Sequence, residues 1–424
     1  MIRLLVVFLS CLPTVASAAT VCVNTTGTDG CFPTIQQGVD AAVSGDTVDV
    51  AAGTYVEHVI VPKNKRLRLQ GAGPTATLID GNGVRTVLKI KGPNPNITVA
   101  GIGIQNGARG VAFGDMVKIK LLDCAITGNV NGGGIRGGGK GSDATVTRCT
   151  ITDNASDDFG GGIGIEDELR SQSQLKVLSS IIRGNTAFAG GGIAVALSGK
   201  LRLIDSVVDD NSAVSDGGGI SGGYVIVSDS TISRNKTLGG GGGVTGGGGV
   251  AARFYTAIRN STISGNSATS GVSPPSSTGL GGGVFVQGFD GRVLLEHATV
   301  ANNTSDNEGG GIFAHRLTVK ASIIADNSAP SGSDCKSGQV RSLGVNLIED
   351  STSCEVRTSG KSVVINADPM LGPLQNNGGA TETHALLAGS PAIGVVTTTA
   401  LCKAPDQRGQ TRAVPCDLGS YEAP

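Results

Sequence analysis

An asparagine recurs along the middle of the chain, at the end of short motifs such as ITGN, IRGN and ISGN. Successive copies are 24 to 37 residues apart, so a minimum spacing is interrupted by insertions. That pattern indicates a solenoid whose coils carry loops. The recurring residues are Asn129, Asn154, Asn185, Asn211, Asn235, Asn266, Asn303 and Asn327.

A small residue stands five positions before each of these asparagines, and an aliphatic residue follows it two positions later. Apolar residues alternate with polar ones upstream, as at Ile119 and Leu121, which predicts strands with one face turned inward. Asx and Ser are frequent just before the small position, where a tight left-handed bend would favour them. We therefore expect an all-β fold, a single-stranded right-handed parallel β-helix with three strands per coil and about eleven coils.

The asparagines and glycines take on roles within such a coil. An Asn at the same bend of every coil can bond its neighbours and form a ladder along the helix axis. Runs of three glycines precede the next strand in most coils, and the chain has 68 glycines in all. Two interpretations of these runs stay open: strained turn geometry, which we favour, and a bare groove for a ligand.

The GGGI and GGGV runs with their ISGN-like partners resemble the repeats of polymorphic outer-membrane proteins, from Lys118 to about Asn327. The segment PTIQQGVDAAVSGDTVDVAAGTY resembles the start of the pectin lyase-like superfamily. NADPMLGPLQNNGGATETHALLAGSPAIG, followed by PDQRGQTRAVPCDLGSYE, resembles the choice-of-anchor Q segment of secreted bacterial β-helix proteins. The catalytic motifs of polygalacturonases, alginate epimerases and pectinesterases are absent, so the resemblance implies the fold and no particular active site.

A short helix is expected to cap the first coil. Thr34 and Gln37 form a capping-box pattern, and Gly45 ends the segment. The apolar face would consist of Ile35, Val39, Ala42 and Val43. Strands are then predicted at Thr47–Val50, His58–Val61, Arg66–Leu69 and Thr86–Lys91.

The first 18 residues have the pattern of a secretory signal peptide, with Arg3 before an apolar run and Ala16-Ser17-Ala18 as the cleavage site. We expect export to the extracellular or periplasmic space, with attachment to the cell surface left open. The predicted divisions are residues 1–18, the N-terminal cap and first coils at 19–116, the repeats at 117–330, and a disulfide-containing C-terminal cap at 331–424.

Eight cysteines remain after the signal peptide, and an even number in an exported protein favours disulfides. Neighbours in sequence make three plausible pairs, Cys22 with Cys31, Cys335 with Cys354, and Cys402 with Cys416. Cys124 and Cys149 fall in the same inward column of adjacent coils, where a disulfide and a stack of free thiols are both open.

The 33 basic and 34 acidic residues nearly balance, so we expect no basic field and no nucleic-acid partner. No stretch after the signal peptide predicts a transmembrane segment. A monomer is expected.

Alignment of the coils on the residue after each glycine run predicts an outward column that includes Arg253, Gln287 and His315. Its side chains could contact a sugar, with aromatic residues nearby as an apolar platform. The candidate catalytic residues are Arg253, His315 and Glu166. The candidate substrate-binding residues are Phe285, Gln287, Phe313, Arg316 and Tyr255. Ordinary surface residues, or a Phe285–Phe313 stack covered by a loop, are the alternative that we favour.

These observations predict a protein that interacts with an extracellular or cell-surface polysaccharide. Non-enzymatic binding or adhesion is slightly favoured. The alternative is a divergent polysaccharide lyase or glycoside hydrolase that acts on an acidic polysaccharide beside the glycine runs. No cofactor is required for either, and calcium is left open, since the acidic residues near Glu166 could bind it or be solvated charges.

Overall fold

The computed structural model describes residues 18–166, 173–239, 245–271, 278–358 and 363–424. The predicted signal peptide therefore lies outside the described residues except for Ala18. Asp167 and Glu168, which follow Glu166 and belong to the acidic residues considered for calcium, lie outside them as well. No described helix is both long and apolar enough to cross a membrane.

The described chain winds into a right-handed parallel β-helix with three parallel sheets, as expected. Sheet 1 has 21 strands, sheet 2 has 13 and sheet 3 has seven. The strands of sheet 2 are Gly53–Val56, Thr77–Asp80, Gly103–Gln105, Ala125–Thr127, Thr150–Thr152, Ile181–Arg183, Val207–Asp209, Thr231–Ser233, Thr262–Ser264, Thr299–Ala301, Ile323–Ala325, Val345–Ile348 and Val363–Ile365. Those of sheet 3 are Val130–Asn131, Ala155–Ser156, Thr186–Ala187, Ser212–Ala213, Lys236–Thr237, Ser267–Ala268 and Thr304–Ser305.

Sheet 1 consists of two rows of strands that follow each other around the coil. The first row, which follows the glycine runs in the repeats, contains Val59–Val61, Thr86–Ile90, Arg109–Phe113, Ile135–Gly137, Ile163–Ile165, Ile193–Val195 and Val284–Val286. The second row contains Thr20–Val23, Thr47–Val50, Arg66–Gly71, Asn96–Ala100, Lys118–Leu122, Asp143–Thr147, Gln174–Leu178, Lys200–Ile204, Arg292–Glu296 and Cys354–Thr358. Four long strands run through both rows: Ile220–Ser228, Val250–Arg259, Ile312–Lys320 and Cys335–Leu343. Elsewhere a corner loop joins the rows.

The asparagine ladder is present and buried. The side-chain nitrogen of each ladder Asn from Asn129 to Asn303 donates to the side-chain oxygen of the next, over 2.9–3.0 Å. The backbone N–H of each bonds the same oxygen. Asp334 ends the ladder by accepting from Asn327 over 2.9 Å. This column fixes the register of one coil on the next.

The small position forms a second buried column. Ser180, Ser206, Ser230, Ser261 and Ser322 each accept a hydrogen bond from the backbone of the preceding coil, over 3.0–3.1 Å. The residue before each small position has φ between 44° and 52°, which confirms the predicted left-handed bend. These bent residues are Asp123, Arg148, Ser179, Asp205, Asp229, Asn260, His297 and Ala321.

The glycine runs are required both by the backbone geometry of the turn and by the close packing of neighbouring coils. Gly217 has φ +64°, a conformation that side chains disfavour. A side-chain carbon on Gly218 would lie 2.5 Å from backbone atoms of Lys236 in the next coil. The runs therefore allow coils to stack at this corner, in agreement with the interpretation that we favoured.

The helix Ile35–Ala41 packs on the first coils, and the hydroxyl of Thr34 accepts from the N–H of Gln37. Glu57 accepts hydrogen bonds from the first two N–H groups of the helix, a contact that the sequence did not predict. Ile35, Val39 and Ala42 are buried as expected, but Val43 is 64% exposed. Val43 was wrongly placed on the apolar face because the helix ends at Ala41, before its period reaches residue 43.

The C-terminal segment beyond Ile365 turns back along the outer face of sheet 2, where Leu371–Gln375 and Thr383–Leu386 form an antiparallel pair. The Thr262 hydroxyl bonds Gln407, and that of Ser264 bonds the ring of His384. A separate apolar cluster joins the two layers, with Ile323, Leu347, Leu386, Leu418 and Tyr421 among its members. The segment thus covers the side of the later coils.

The three predicted disulfides form: Cys22–Cys31, Cys335–Cys354 and Cys402–Cys416. Cys124 and Cys149, whose bonding the sequence left open, are both buried free thiols. The sulfur of Cys149 accepts from the N–H of Cys124 over 3.4 Å, so it takes the place of the hydroxyl in the serine column.

Candidate functional site

A groove of about 1440 Å³ runs along the first row of sheet 1. Its floor includes the small side chains of Ala194, Ser221, Ala251 and Ala252. Ile163, Ile193, Ile220, Val250, Val284 and Ile312 point into the core below and are fully buried, as predicted. Arg253, Gln287 and Glu166 line the groove.

Two members of the predicted outward column meet. The guanidinium of Arg253 donates to the side-chain oxygen of Gln287 over 2.6 Å, and both side chains are exposed. His315 is exposed on a later coil, beside Gly338. Among the described hydrogen bonds, none joins His315 to Arg253 or Gln287. The column therefore yields one hydrogen-bonded pair near the groove.

The predicted aromatic platform is a packed pair. The rings of Phe285 and Phe313 lie 5.8 Å apart, and Phe285 is 2% exposed because Ala251 and Leu280 cover it. Phe313 packs against this cluster and is partly buried. A covered stack was part of the interpretation that we favoured over a sugar platform, and a sugar could reach little of Phe285 in this arrangement.

Tyr255 and Arg316 belong to the second row of sheet 1. Tyr255 stands beside Tyr224 of the preceding coil and Arg292 of the next. The guanidinium of Arg316 lies 3.4 Å from a carboxylate oxygen of Asp290, an exposed corner-loop residue. Both predicted contacts thus lie on the face beyond the corner rather than on the groove floor.

Glu166 is held in an ion pair. Arg136, whose side chain is largely buried, contacts the carboxylates of Glu166 and Asp158 together and also donates to the carbonyl oxygen of Phe159. Glu166 lies three coil steps from Arg253, or about 14 Å along the helix axis. The two candidate catalytic groups are therefore at separate places along the groove.

Asp216 is a groove residue that sequence reasoning missed. It lines the groove, and its carboxylate accepts from the N–H of Gly246 over 3.1 Å. Burial raises its pKa, although the bonds from Gly246 and Ser215 oppose that shift. A carboxyl in a cleft with a raised pKa is a candidate acid or base. The available signal was the acidic residue directly before the run Gly217 to Gly219.

The second row of sheet 1 carries a basic face, which we define as the exposed side chains of Arg66, Arg68, Lys118, Lys120, Lys176, Lys200 and Arg202. Strand register places them in two adjacent columns. Between these cations, the two columns contain the acidic Asp143 and the neutral residues Asn96, Thr98, Thr145 and Gln174. Among the described ion pairs, none involves the seven cations. A shallow depression of about 280 Å³ lies between Lys118, Lys120 and Lys176.

This face corrects the expectation that the chain has no basic field. The total charge of −1 averages over the whole chain and hides the segregation of cations onto one row. The signal was present in the alternation of strands such as Arg66-Leu67-Arg68 and Lys200-Leu201-Arg202, whose apolar residues face inward. Only the register between coils shows that these strands align.

One group of acidic side chains within the described ranges is close enough to hold a metal ion. The ligand atoms of Asp326, Glu349 and Asp368 all lie within 4.8 Å of one another. Burial raises the pKa of Asp326, and the charges of the other two add to the effect. The group follows strands of sheet 2, so it is remote from the groove and the basic face. Calcium stays a prediction.

Comparison with known proteins agrees with the architecture. Residues 87–235 match the family described as right handed beta helix region. Curated protein sequences give no match.

Among solved structures, the pectate lyase Pel9A is 12% identical with a TM-score of 0.43, over 97% of this chain and 98% of that chain. A pectin methylesterase from carrot is 14% identical with a TM-score of 0.29, over 81% and 88%. A mannuronic acid specific polysaccharide lyase from human gut microbiota is 12% identical with a TM-score of 0.37, over 80% and 91%. The family match makes residues 87–235 similar to right-handed β-helix proteins. The repeat and choice-of-anchor resemblances stay predictions.

Proposed function

We propose that this protein is exported and, as a monomer, binds an extended anionic polysaccharide along its basic face. The observation that carries the proposal is the segregation of seven exposed cations, without ion pairs among the described residues, onto one row of strands. The three disulfides and the signal-like first 18 residues support export, since disulfides persist in oxidising compartments.

The spacing of the cations suits a linear polyanion. Coils rise by about 4.8 Å, so Lys120 and Lys176 stand about 10 Å apart and Arg202 follows one coil later. A glycan of uronic acids, or of sulfated sugars, carries one or more negative charges per sugar along its length. A chain that lies parallel to the helix axis would meet a cation every one or two coils. Such contacts add up, although each exposed ion pair contributes little.

A binding measurement tests the proposal. Purified mature protein would be titrated with polyuronates, sulfated glycans and neutral glycans at several salt concentrations. We expect binding to the anionic glycans alone, weakened as salt rises because screening acts on exposed charges. Charge reversal at Lys118, Lys120 and Lys176 to Glu should weaken binding about 100-fold and flatten the salt dependence.

Lys236→Glu is the matched control, since Lys236 is exposed on sheet 3, away from the basic face. It should leave affinity unchanged. Equal binding of neutral and anionic glycans, or equal loss in the control, would overturn the proposal. Binding to DNA with similar affinity would indicate an unspecific polyanion surface instead.

A second function is catalysis in the groove. The observation that favours it is Asp216, whose raised pKa accompanies a position in the same groove as Arg253. A lyase needs a base and a cation that neutralises the substrate carboxylate, and these two residues have the required chemistry. Product assays would follow unsaturated uronide absorbance and new reducing ends. Activity that is lost in Asp216→Asn and Arg253→Ala but kept in Lys236→Glu would establish an enzyme, whereas no activity on any bound glycan would leave a binding protein.

A further inference from the structure

The corner between the two rows of sheet 1 has a notch. The strands Ile220–Ser228 and Val250–Arg259 pass from the first row to the second without a loop. Corner loops stand on both sides, at residues 196–199 and 287–291. Their coils are three steps apart, so the notch is about 14 Å wide along the axis. It opens the groove toward the basic face at this point.

A β-bulge places an aromatic side chain in the notch. Ala252 pairs with Gly222 and Tyr255 pairs with Tyr224, so Arg253 and Phe254 together stand opposite Gly223. An extra residue of this kind redirects the side chains of its strand. The spacing in the sequence gives the same signal, since four residues lie between Val250 and Tyr255 but three lie between Ile220 and Tyr224.

The aromatic pair that results is accessible. The rings of Phe254 and Tyr224 lie 5.4 Å apart, and these residues are 42% and 38% exposed. Leu197 of the neighbouring corner loop lines the same groove and is 59% exposed. The notch therefore holds an apolar surface of three exposed side chains.

Hydrogen-bond donors stand beside this surface. The bond from Arg253 to Gln287 holds the guanidinium in place. Within the described ranges, the other N–H groups of Arg253 and the side-chain nitrogen of Gln287 have no partner. An apolar face beside a few fixed donors is the arrangement that orients a sugar, whose ring has an apolar C–H face and a polar edge.

We infer that this notch is a sugar-binding subsite of the polysaccharide path. A pyranose packs its C–H face on Phe254 and Tyr224, and Arg253 and Gln287 donate to the oxygens at its edge. The subsite continues the basic face, because Tyr224 pairs directly with Lys200. This inference rests on the proposed function. It adds that the basic face supplies salt-dependent attraction, while the notch selects sugars with an unhindered C–H face.

The test compares aromatic variants with a matched control. Phe254→Ala and Tyr224→Ala should each weaken binding of the preferred oligosaccharide roughly tenfold, with the salt dependence unchanged, because stacking involves no charge. Phe289→Ala is the control, since Phe289 is 92% exposed on the adjacent corner loop. It should bind as the wild type does. Saturation-transfer NMR should show the strongest enhancement on protons of one ring face, and Phe254→Ala should remove it.

Further measurements distinguish a loss of binding from a loss of folding, and a failure of the notch inference from a failure of the proposed function. Phe254→Leu keeps apolar bulk without an aromatic face, so it should fold normally and still bind more weakly. Neutral and acidic oligosaccharides of the same length would tell whether the donors meet hydroxyl groups or a carboxylate. If the wild type binds no glycan, the proposed function fails. If it binds and the basic-face reversal weakens binding, but the aromatic variants do not, the notch inference alone is wrong.

Discussion

A single ladder asparagine links three coils. Asn211 accepts from the backbone and the side chain of Asn185, and its side-chain nitrogen lies within hydrogen-bond distance of Ile182, Asp209 and Asn235. All of these contacts are shielded from water, so their loss leaves donors and acceptors unpaired. The asparagines thus hold the register that the apolar core, which is similar in every coil, cannot specify.

Asn211→Ala is therefore expected to cost about 2–4 kcal/mol of unfolding free energy, because several buried polar groups lose their partner at once. Denaturant unfolding followed by circular dichroism measures this cost. Asn96→Ala, the same change at an exposed strand position, should cost less than about 0.5 kcal/mol. Similar losses at both positions would contradict a special role for the ladder.

Features that recur at a fixed offset in every coil were predictable, whereas features that depend on a bulge or on the register between coils were not. The left-handed bends and the ladder followed from fixed offsets to each Asn, as at Asp205 and Asn211. The covered stack of Phe285 and Phe313 belonged to the favoured interpretation, and Leu280 packs in the same cluster as Phe285. Phe254 enters the notch through a one-residue bulge. Lys120 and Lys176 share a column, with Thr145 between them, only through the register between coils whose corner loops differ in length.

The C-terminal segment docks on sheet 2 through buried polar contacts as well as apolar ones. His297, at the bend before sheet 2, contacts the carbonyl oxygen of Leu401 through Nε2 over 2.9 Å. Burial lowers the pKa of His297 to about 4, and the charge of the nearby Arg412 adds to the effect. The neutral ring is therefore the form that fits the docked segment.

A pH dependence follows at this element. In the unfolded chain His297 titrates near 6.5, so between about pH 6.5 and 4 the unfolded state binds more protons. The stability that the neutral ring contributes is complete above pH 6.5 and falls as the pH drops toward 4, by on the order of 3 kcal/mol. His297→Gln cannot titrate. The difference in unfolding free energy between wild type and variant should shrink along that range, and a constant difference would refute the assignment.

Across the whole molecule, the coils and the C-terminal segment have different attachments. The coils share one continuous core, whereas the segment is joined to them through a smaller cluster and closed on itself by Cys402–Cys416. Local opening of the segment should therefore need less free energy than unfolding of the coils.

Replacement of Cys402 and Cys416 by Ser should lower the free energy needed to open the segment by about 3 kcal/mol, because the disulfide no longer restricts the conformations of the opened segment. Hydrogen exchange read by mass spectrometry should then show faster exchange over residues 371–424. Strands of the middle coils, such as Lys200–Ile204, should exchange as before. Uniform acceleration through the coils would mean that segment and coils unfold as one unit.

The tolerance for insertions has an evolutionary consequence. The ladder asparagines stay aligned although the number of residues from one to the next varies from 24 to 37. The added residues fall in the sequence between the strands, at the corners and before the glycine runs. One added residue places Arg253 and Phe254 opposite the single residue Gly223, and the strand remains paired on both sides of this bulge. The bulge thereby adds a guanidinium and an aromatic ring to the surface. Insertions can therefore change the binding surface of one coil at a time while the core and the asparagine ladder of the β-helix stay the same.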